Sequence, residues 1–391
     1  MKNEDLKIGI VGSGFAAKFH YESHKRLGAD VAGAYSPTES NCLKYAQERN
    51  IRAYKNFEEM LKDVDVVDVC SPGNTHEYYT VKAAEAGKHV IVEKPFTGYY
   101  GPEDAGADWK GNGFPKTIML EKAVESADKM INAVEKSGVI LCYAENWVYA
   151  PTIQKEIQVL KSSKGQILWI IGEESHSGSH SPIYGIWRKA GGGSLVGKGC
   201  HPLTAALYLK RMEGKIFNGN PIRPVTVSAR THEITRNPNF RDAGFLRKDY
   251  YDIEDFCQLH IVFSDGMVAD IFSNELVMGG VHNWVEVFAN NHRMRCNINP
   301  TDACTLYTPD EKLVKDVYIV EKTGTKQGWS FPAPDEDWNT GYPQEMVDFL
   351  SAFREKREPE CGAGLARDTV STMYAAYLST ERKGQEVQIP Q

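Results

Sequence analysis

The feature that most constrains this chain lies near its start. Residues 6–11 are an apolar run that passes directly into Gly12-Ser13-Gly14-Phe15-Ala16-Ala17, and a helix-like stretch follows to about residue 27. Gly12 permits a tight turn, Gly14 lets the backbone approach a pyrophosphate, and Ala17 lets the helix pack close to the strand. The helix opens at the turn, so its first N–H groups and the positive end of its dipole face whatever sits above the glycines. Strand, Gly-x-Gly-x-x-Ala turn and helix in this order form a dinucleotide-binding fingerprint in its proper context. The cofactor expected is NAD or NADP.

The pattern continues over the first 150 residues. Strands are expected at 31–35, 64–70, 89–92 and 139–143, and helices at 41–50, 76–86 and 119–136. Alternating strands and helices with short connections argue for a right-handed parallel sheet. Residues 96–116 interrupt it. They are rich in Gly, Pro and Asp, carry Tyr99, Tyr100, Trp109 and Phe114, and show no period. A loop this long usually has a function or is an insertion.

After Pro151 the texture changes. A helix is expected at 151–160 and a strand at 166–171. Two strand pairs follow: 257–263 with 267–272 around Ser264-Asp265-Gly266, and 284–288 with 293–298 around Asn290-Asn291. Closing helices are expected at 342–354 and 367–382. The fold class is therefore α/β. An N-terminal Rossmann domain (1–150, with insertion 96–116) precedes a C-terminal α+β domain (151–391) built on an open, mainly antiparallel sheet. The last helices are expected to pack back on the first domain.

A length of 391 residues suits two domains. The net charge of −7 gives no reason to expect nucleic acid or an anionic membrane as partner. No run reaches the apolar length of a bilayer span, and no signal-peptide core is visible. Eight scattered cysteines without a CxxC pair read as reduced thiols, which points to the cytoplasm.

Candidate cofactor contacts sit at strand ends. Gly12, Ser13, Gly14, Phe15 and Ala16 form the turn. Ser36 ends the second strand, where an acidic residue would favour NAD and a nearby Arg NADP. Ser36-Pro37-Thr38 is neither, and the lack of Arg tilts the reading to NAD. Ser71, Pro72, Asn74 and His76 follow the third strand, and Glu93 and Lys94 end the fourth.

The blocks Ser71-Pro72-Gly73-Asn74-Thr75-His76, Ala84-x-Ala86-Gly87-Lys88-His89-Val90 and Glu93-Lys94-Pro95 resemble the Gfo/Idh/MocA (glucose–fructose oxidoreductase / inositol dehydrogenase) family. So does Gly191-Gly192-Gly193-Ser194-Leu195 running on to Gly199-x-His201. The resemblance implies an NAD(P)-dependent oxidoreductase that moves a hydride between nicotinamide and a secondary hydroxyl of a sugar, cyclitol or glycoside. It makes Lys94 and His201 the catalytic pair. A cation beside the oxygen stabilises developing alkoxide charge, and an imidazole can take the proton near neutral pH. It also implies a homo-oligomer, dimer or tetramer, assembled through the C-terminal sheet.

The sequence departs from the family pattern beside the histidine. Gly197 stands where an Asp is expected four residues before His201, and Thr204 stands three residues after it. Asn146, Tyr149 and His180 are further candidates for substrate contact, with Lys94 and His201. His176 and His180 have no fixed third ligand, and no metal is expected. The aromatic insertion after Lys94, together with Gly197, suggests a bulky substrate such as a glycoside. One alternative is an NAD-dependent glycosidase that oxidises its sugar transiently, eliminates and reduces again. Another is a non-catalytic ligand-binding or sensor protein.

Overall fold

A computed structural model describes residues 6–391 apart from Ala107, His180 and Pro182. The first sheet contains β1 (Lys7–Val11), β2 (Asp30–Tyr35), β3 (Arg52–Ala53), β4 (Val66–Val69), β5 (His89–Glu93) and β6 (Leu141–Ala144). All pairings are parallel, in the order β3-β2-β1-β4-β5-β6. Val66, Val67 and Val69 are buried on both faces of the sheet, which is why this strand reads as a continuous apolar run. The connecting helices are α1 (Phe15–Arg26), α2 (Glu39–Arg49), α3 (Phe57–Asp63), α4 (His76–Glu85) and α5 (Lys116–Ser137).

The sequence reading passed over β3 and α3. Two residues cannot show a period, and α3 is a seven-residue helix fixed mainly by the Asn56 side chain accepting from Glu59 N at 2.8 Å. Because the sheet is parallel, the carboxyl ends of its strands share one edge. The Gly-rich turn, Ser36, Ser71, Lys94 and Glu145 therefore all lie along that edge.

The chain then runs through α6 (Pro151–Ser163), β7 (Ile167–Ser175), α7 (Trp187–Ala190) and α8 (Cys200–Asn218). Next come β8 (Pro224–His232), β9 (Phe256–Phe263), β10 (Val268–Asn274), β11 (His282–Ala289) and β12 (Arg293–Asn299). β13 (Leu306–Thr308) pairs with β14 (Gly328–Ser330), and α9 (Glu336–Thr340), α10 (Tyr342–Glu355), α11 (Ala363–Glu381) and β15 (Val387–Gln388) close the chain. The second sheet has the order β12-β11-β7-β10-β9-β8-β15. Only β7 with β10 is parallel; every other pair is antiparallel. α8 packs on one face of this sheet. The other face shows Leu168 and Trp169, the latter stacked on Phe288 at 4.7 Å.

β7 runs four residues past the expected end. Gly172-Glu173-Glu174 break the apolar pattern, yet they pair with β10 on one side and β11 on the other. The extension carries Glu174 toward the first sheet. α11 packs on α5, α10 packs on α1, and Tyr143 N donates to Cys361 O at 2.9 Å.

The segment 96–116 is bound at several points. Tyr99 N donates to Tyr374 Oη at 2.6 Å, Trp187 Nε1 donates to Tyr99 O at 3.0 Å, and Gly111 N donates to Asp252 Oδ2 at 2.7 Å. The Lys116 ammonium donates to the carbonyls of Gly111, Asn112 and Phe114 at 2.7, 3.0 and 2.7 Å. Burial pulls the Lys116 pKa down to about 8 despite Glu381, Glu254 and Asp252 nearby.

Candidate active site

At the start of α1 the backbone fits a dinucleotide phosphate. Gly12 has φ +117, and a Cβ there would lie 2.6 Å from Cys70 O, so no other residue suits this turn. A Cβ on Gly14 would meet nothing within 4 Å, so the space above the turn is open. No side chain caps α1, and its first turn holds no acidic residue. The first N–H groups and the dipole end are thus left to an outside anion. Phe15 is exposed above this turn and packs at a tilt against Phe19, which stacks on Tyr342.

The other expected cofactor residues divide by what they touch. Ser36 is half-buried at the end of β2 and Asn74 is exposed. Ser71 Oγ lies 2.7 Å from Thr75 Oγ1. His76 is buried, with Nε2 2.8 Å from Ser71 O and Nδ1 3.0 Å from Pro95 O. It ties the Ser71 loop to the loop after Lys94. Glu93 is also drawn inward, 3.5 Å from His20 Nε2. His20 Nδ1 is 2.9 Å from Asp68 Oδ1, and His24 Nε2 is 2.9 Å from Asp68 Oδ2. Burial opposes charge on both acids, but His20 outweighs it and holds Asp68 and Glu93 below their usual ranges; His24 adds for Asp68.

Lys94 reaches across to the second half of the chain, where its Nζ donates to Gly197 O at 3.2 Å. Burial alone would lower its pKa. The surroundings reverse this and hold it above the ordinary lysine value. Cys200 would contribute only as a thiolate, and burial keeps its thiol protonated well beyond the usual range. The carboxylates Glu93, Glu174 and Glu145 therefore keep Lys94 a cation.

His201 is the second residue of α8, directly after a single π-helical turn, Leu195–Gly199. Its Nδ1 is hydrogen-bonded to Glu145 Oε1, and both side chains are buried. Trp147 stacks on the imidazole, centroids 5.6 Å apart and planes 21° apart. Glu174 Oε2 lies 3.8 Å from His201 Nε2. The imidazole is therefore oriented by one acid and faced by another. The proton on Nδ1 is fixed by Glu145, which leaves Nε2 as the acceptor.

The space at Gly197 is filled. A Cβ there would overlap the ring of Tyr184. Tyr184 Oη donates to Glu275 Oε1 at 2.5 Å, and Glu275 is also ion-paired with buried Lys198. Burial lowers the Lys198 pKa, against the pull of Glu275. Thr204 Oγ1 donates to Cys200 O at 2.7 Å, an ordinary bond within its helix. The carboxylate partner of His201 thus comes from the β6 end and not from its own helix.

Asn146 and Tyr149 are placed in the packing of the junction. Asn146 Nδ2 donates to Thr340 O at 2.8 Å. Tyr149 Oη donates to Asp348 Oδ2 at 2.7 Å and accepts from Cys361 N at 3.0 Å. Asn146 Nδ2 and Tyr149 Oη are thus engaged by the protein. His180 lies outside the described residues. The sequence reading gave Glu145 and Trp147 no part beside His201. Glu145 and Trp147 flank the Asn146 that it did name, but nothing in a single sequence signals that they meet His201. Ligand atoms of Glu145, Cys200 and His201 also fall within 4.8 Å of one another, a spacing a cation could bridge.

Residues 6–106 match the family described as oxidoreductase, NAD-binding Rossmann fold (GFO_IDH_MocA). Myo-inositol 2-dehydrogenase of Thermotoga maritima is 34% identical over 96 residues, 24% of this chain and 29% of that protein. D-glucoside 3-dehydrogenase of Escherichia coli is 27% identical over 221 residues, 54% of this chain and 55% of that protein. The matched stretch thus spans under a third of the first relative and about half of the second. The structure of GenD2 from gentamicin A biosynthesis in complex with NAD superposes with a TM-score of 0.80 at 23% identity, covering 100% of this chain and 98% of that one. This last likeness is one of fold. Together with the Gly-rich turn and the six-stranded parallel sheet, these matches show an NAD-binding Rossmann fold of the Gfo/Idh/MocA oxidoreductase family over residues 6–106.

Proposed function

We propose that this protein is an NAD(P)-dependent dehydrogenase that oxidises, or in reverse forms, a secondary hydroxyl of a carbohydrate. The observation that carries the reading is the convergence of Lys94, from the β5 end, and the Glu145–His201 pair at the edge where the Gly-rich turn opens. The relatives named as inositol and glucoside dehydrogenases support the substrate class.

Each group has a task. The nicotinamide, when bound, accepts the hydride of the reacting carbon. His201 Nε2 takes the hydroxyl proton, and Glu145 steadies the imidazolium that results. Lys94 sets a positive charge beside the oxygen as it becomes an alkoxide. Gly12, Ser13, Gly14, Phe15 and Ala16 present the phosphate site, with Ser36, Ser71, Pro72 and Asn74 on neighbouring strand ends. The proposal includes two units, 1–150 and 151–391, with segment 96–116 favouring bulkier glycosides. It also includes a homo-oligomer through the open face of the second sheet and a cytoplasmic location. Among the described residues no helix is long and apolar enough to cross a membrane. All eight cysteines are free thiols.

A panel of sugars, cyclitols and glycosides, followed at once by nicotinamide absorbance and product analysis, tests this. Accumulation of reduced nicotinamide with a keto-sugar product supports a dehydrogenase. Release of aglycone without it would make the enzyme a glycosidase. Sugar binding with no redox signal throughout the panel would make it a sensor.

A further inference from the structure

Glu174 has no role in the chemistry so far, yet its position is unusual. It sits near the end of β7, in the part of the strand that extends past the apolar run. Its Oε2 is closed to solvent, has no hydrogen-bond partner among the described residues and lies 3.8 Å from His201 Nε2. Glu145 Oε2 is likewise buried and unpartnered, since only Oε1 is used by His201. A buried carboxylate oxygen without a donor is costly, and such an oxygen at a reaction centre is satisfied when a ligand supplies the donor.

The charges around it point the same way. Glu275 is matched by Lys198, and Glu93 by His20. Lys94 is then left facing both Glu145 and Glu174. Burial raises the Glu174 pKa, and a cationic donor would draw it back to the carboxylate. With that acid ionised and a neutral imidazole, this part of the site carries more negative than positive charge among the described residues. An anionic sugar, such as a uronate, would add to that excess, whereas an ammonium would offset it.

We infer that Glu174 determines substrate class: it receives an N–H or O–H donor on a carbon next to the reacting one, and it favours an amino sugar over a neutral sugar and a neutral sugar over a uronate. This rests on the dehydrogenase reading above for the location of the reacting carbon. An ammonium held by a buried carboxylate makes a charge-assisted hydrogen bond, about twice as strong as a neutral one.

The test measures binding as well as turnover. Methyl glucoside, its 2-, 3- and 4-amino-deoxy counterparts and methyl glucuronide are titrated by calorimetry into the NAD-loaded protein at about pH 6.5, as wild type and as Glu174→Gln. The expected result is that at least one amino sugar binds the wild type roughly tenfold or more tightly than the glucoside, with the glucuronide weakest. In Glu174→Gln the amino sugar should lose that advantage and bind no more than about threefold more tightly than the glucoside binds the same variant. Unchanged ratios among the five ligands in the variant would overturn the assignment. So would a wild type that binds the glucuronide as well as the amino sugars. If no ligand is oxidised but the binding order shifts as stated, the dehydrogenase reading fails while the role of Glu174 in recognition stands.

Discussion

At His201 the expected partner is missing from its own helix and present on another strand. Glu145 bonds Nδ1, Trp147 supports the ring, and Tyr184 fills the space that Gly197 leaves. Two predictions follow from this arrangement. Glu145→Gln keeps the shape but removes the charge and can stabilise the wrong tautomer. It should lower kcat by about 10²-fold or more with little change in NAD affinity, read by steady-state kinetics and a cofactor titration. Gly197→Asp restores the family's residue but drives it into Tyr184, which Glu275 holds in place. Overpacking of this kind costs about 1–3 kcal/mol. Thermal unfolding should therefore show a lower Tm, and adding Tyr184→Ala should recover part of the loss. At this scale the sequence was legible where a motif fixes both residue and place, as for Lys94 and His201. It was not legible where a contact joins distant segments. Glu145 and His201 are 56 residues apart, and no local pattern links them.

Among the elements, the π-helical turn Leu195–Gly199 brings Gly197 O to Lys94 and starts α8 at Cys200. Gly197, Gly199 and Pro202 argue by themselves against regular helix here. What holds the turn is Glu254. Its Oε2 accepts from Gly193 N at 3.1 Å, and its Oε1 accepts from Leu195 N at 3.0 Å and Tyr377 Oη at 2.8 Å. Burial pushes the Glu254 pKa up to about 7 against these bonds. The native state thus holds a proton that the unfolded chain releases near pH 4.5. Its stabilising effect is full below the unfolded value and is lost as pH rises toward 7. A shift of this size corresponds to about 3 kcal/mol at roughly 1.4 kcal/mol per unit. Urea unfolding at pH 5 and pH 8 should show a smaller pH-dependent loss in Glu254→Gln than in the wild type. Equal losses would remove Glu254 from the account. Strand and helix positions in the first sheet followed the sequence to within a few residues, since buried parallel strands are continuous apolar runs. The end of β7 did not, because its pairing is set by β10 and β11 and not by its own composition.

For the whole molecule, the parallel sheet brings the Gly-rich turn and Lys94 to one edge, and the second half of the chain supplies His201 and Glu174. The acid and base groups are hydrogen-bonded to one another, and Cys200 is kept a thiol by burial, so the reading needs no metal. Dialysis against a chelator should leave kcat/KM unchanged; a loss restored by a divalent cation would assign the Glu145–Cys200–His201 group to a metal instead. The alternation of strands and helices in the first sheet and the antiparallel hairpins of the second were readable from periodicity and turns; β3, α3, α8 and β8 were not. How the two sheets face each other was not, since it depends on contacts such as Lys94 with Gly197 that span 103 residues. The central claim is that His201 acts as base in a hydride transfer from a carbohydrate. Its most direct test is single-turnover reduction of bound nicotinamide, followed by absorbance, in the wild type and in His201→Asn with the same sugar panel. The account predicts reduced nicotinamide in the wild type with at least one secondary-alcohol sugar. It also predicts a rate at least about 10²-fold lower in the variant at unchanged cofactor affinity. A variant that turns over at the wild-type rate, or a wild type that reduces nicotinamide with none of the sugars, would contradict it.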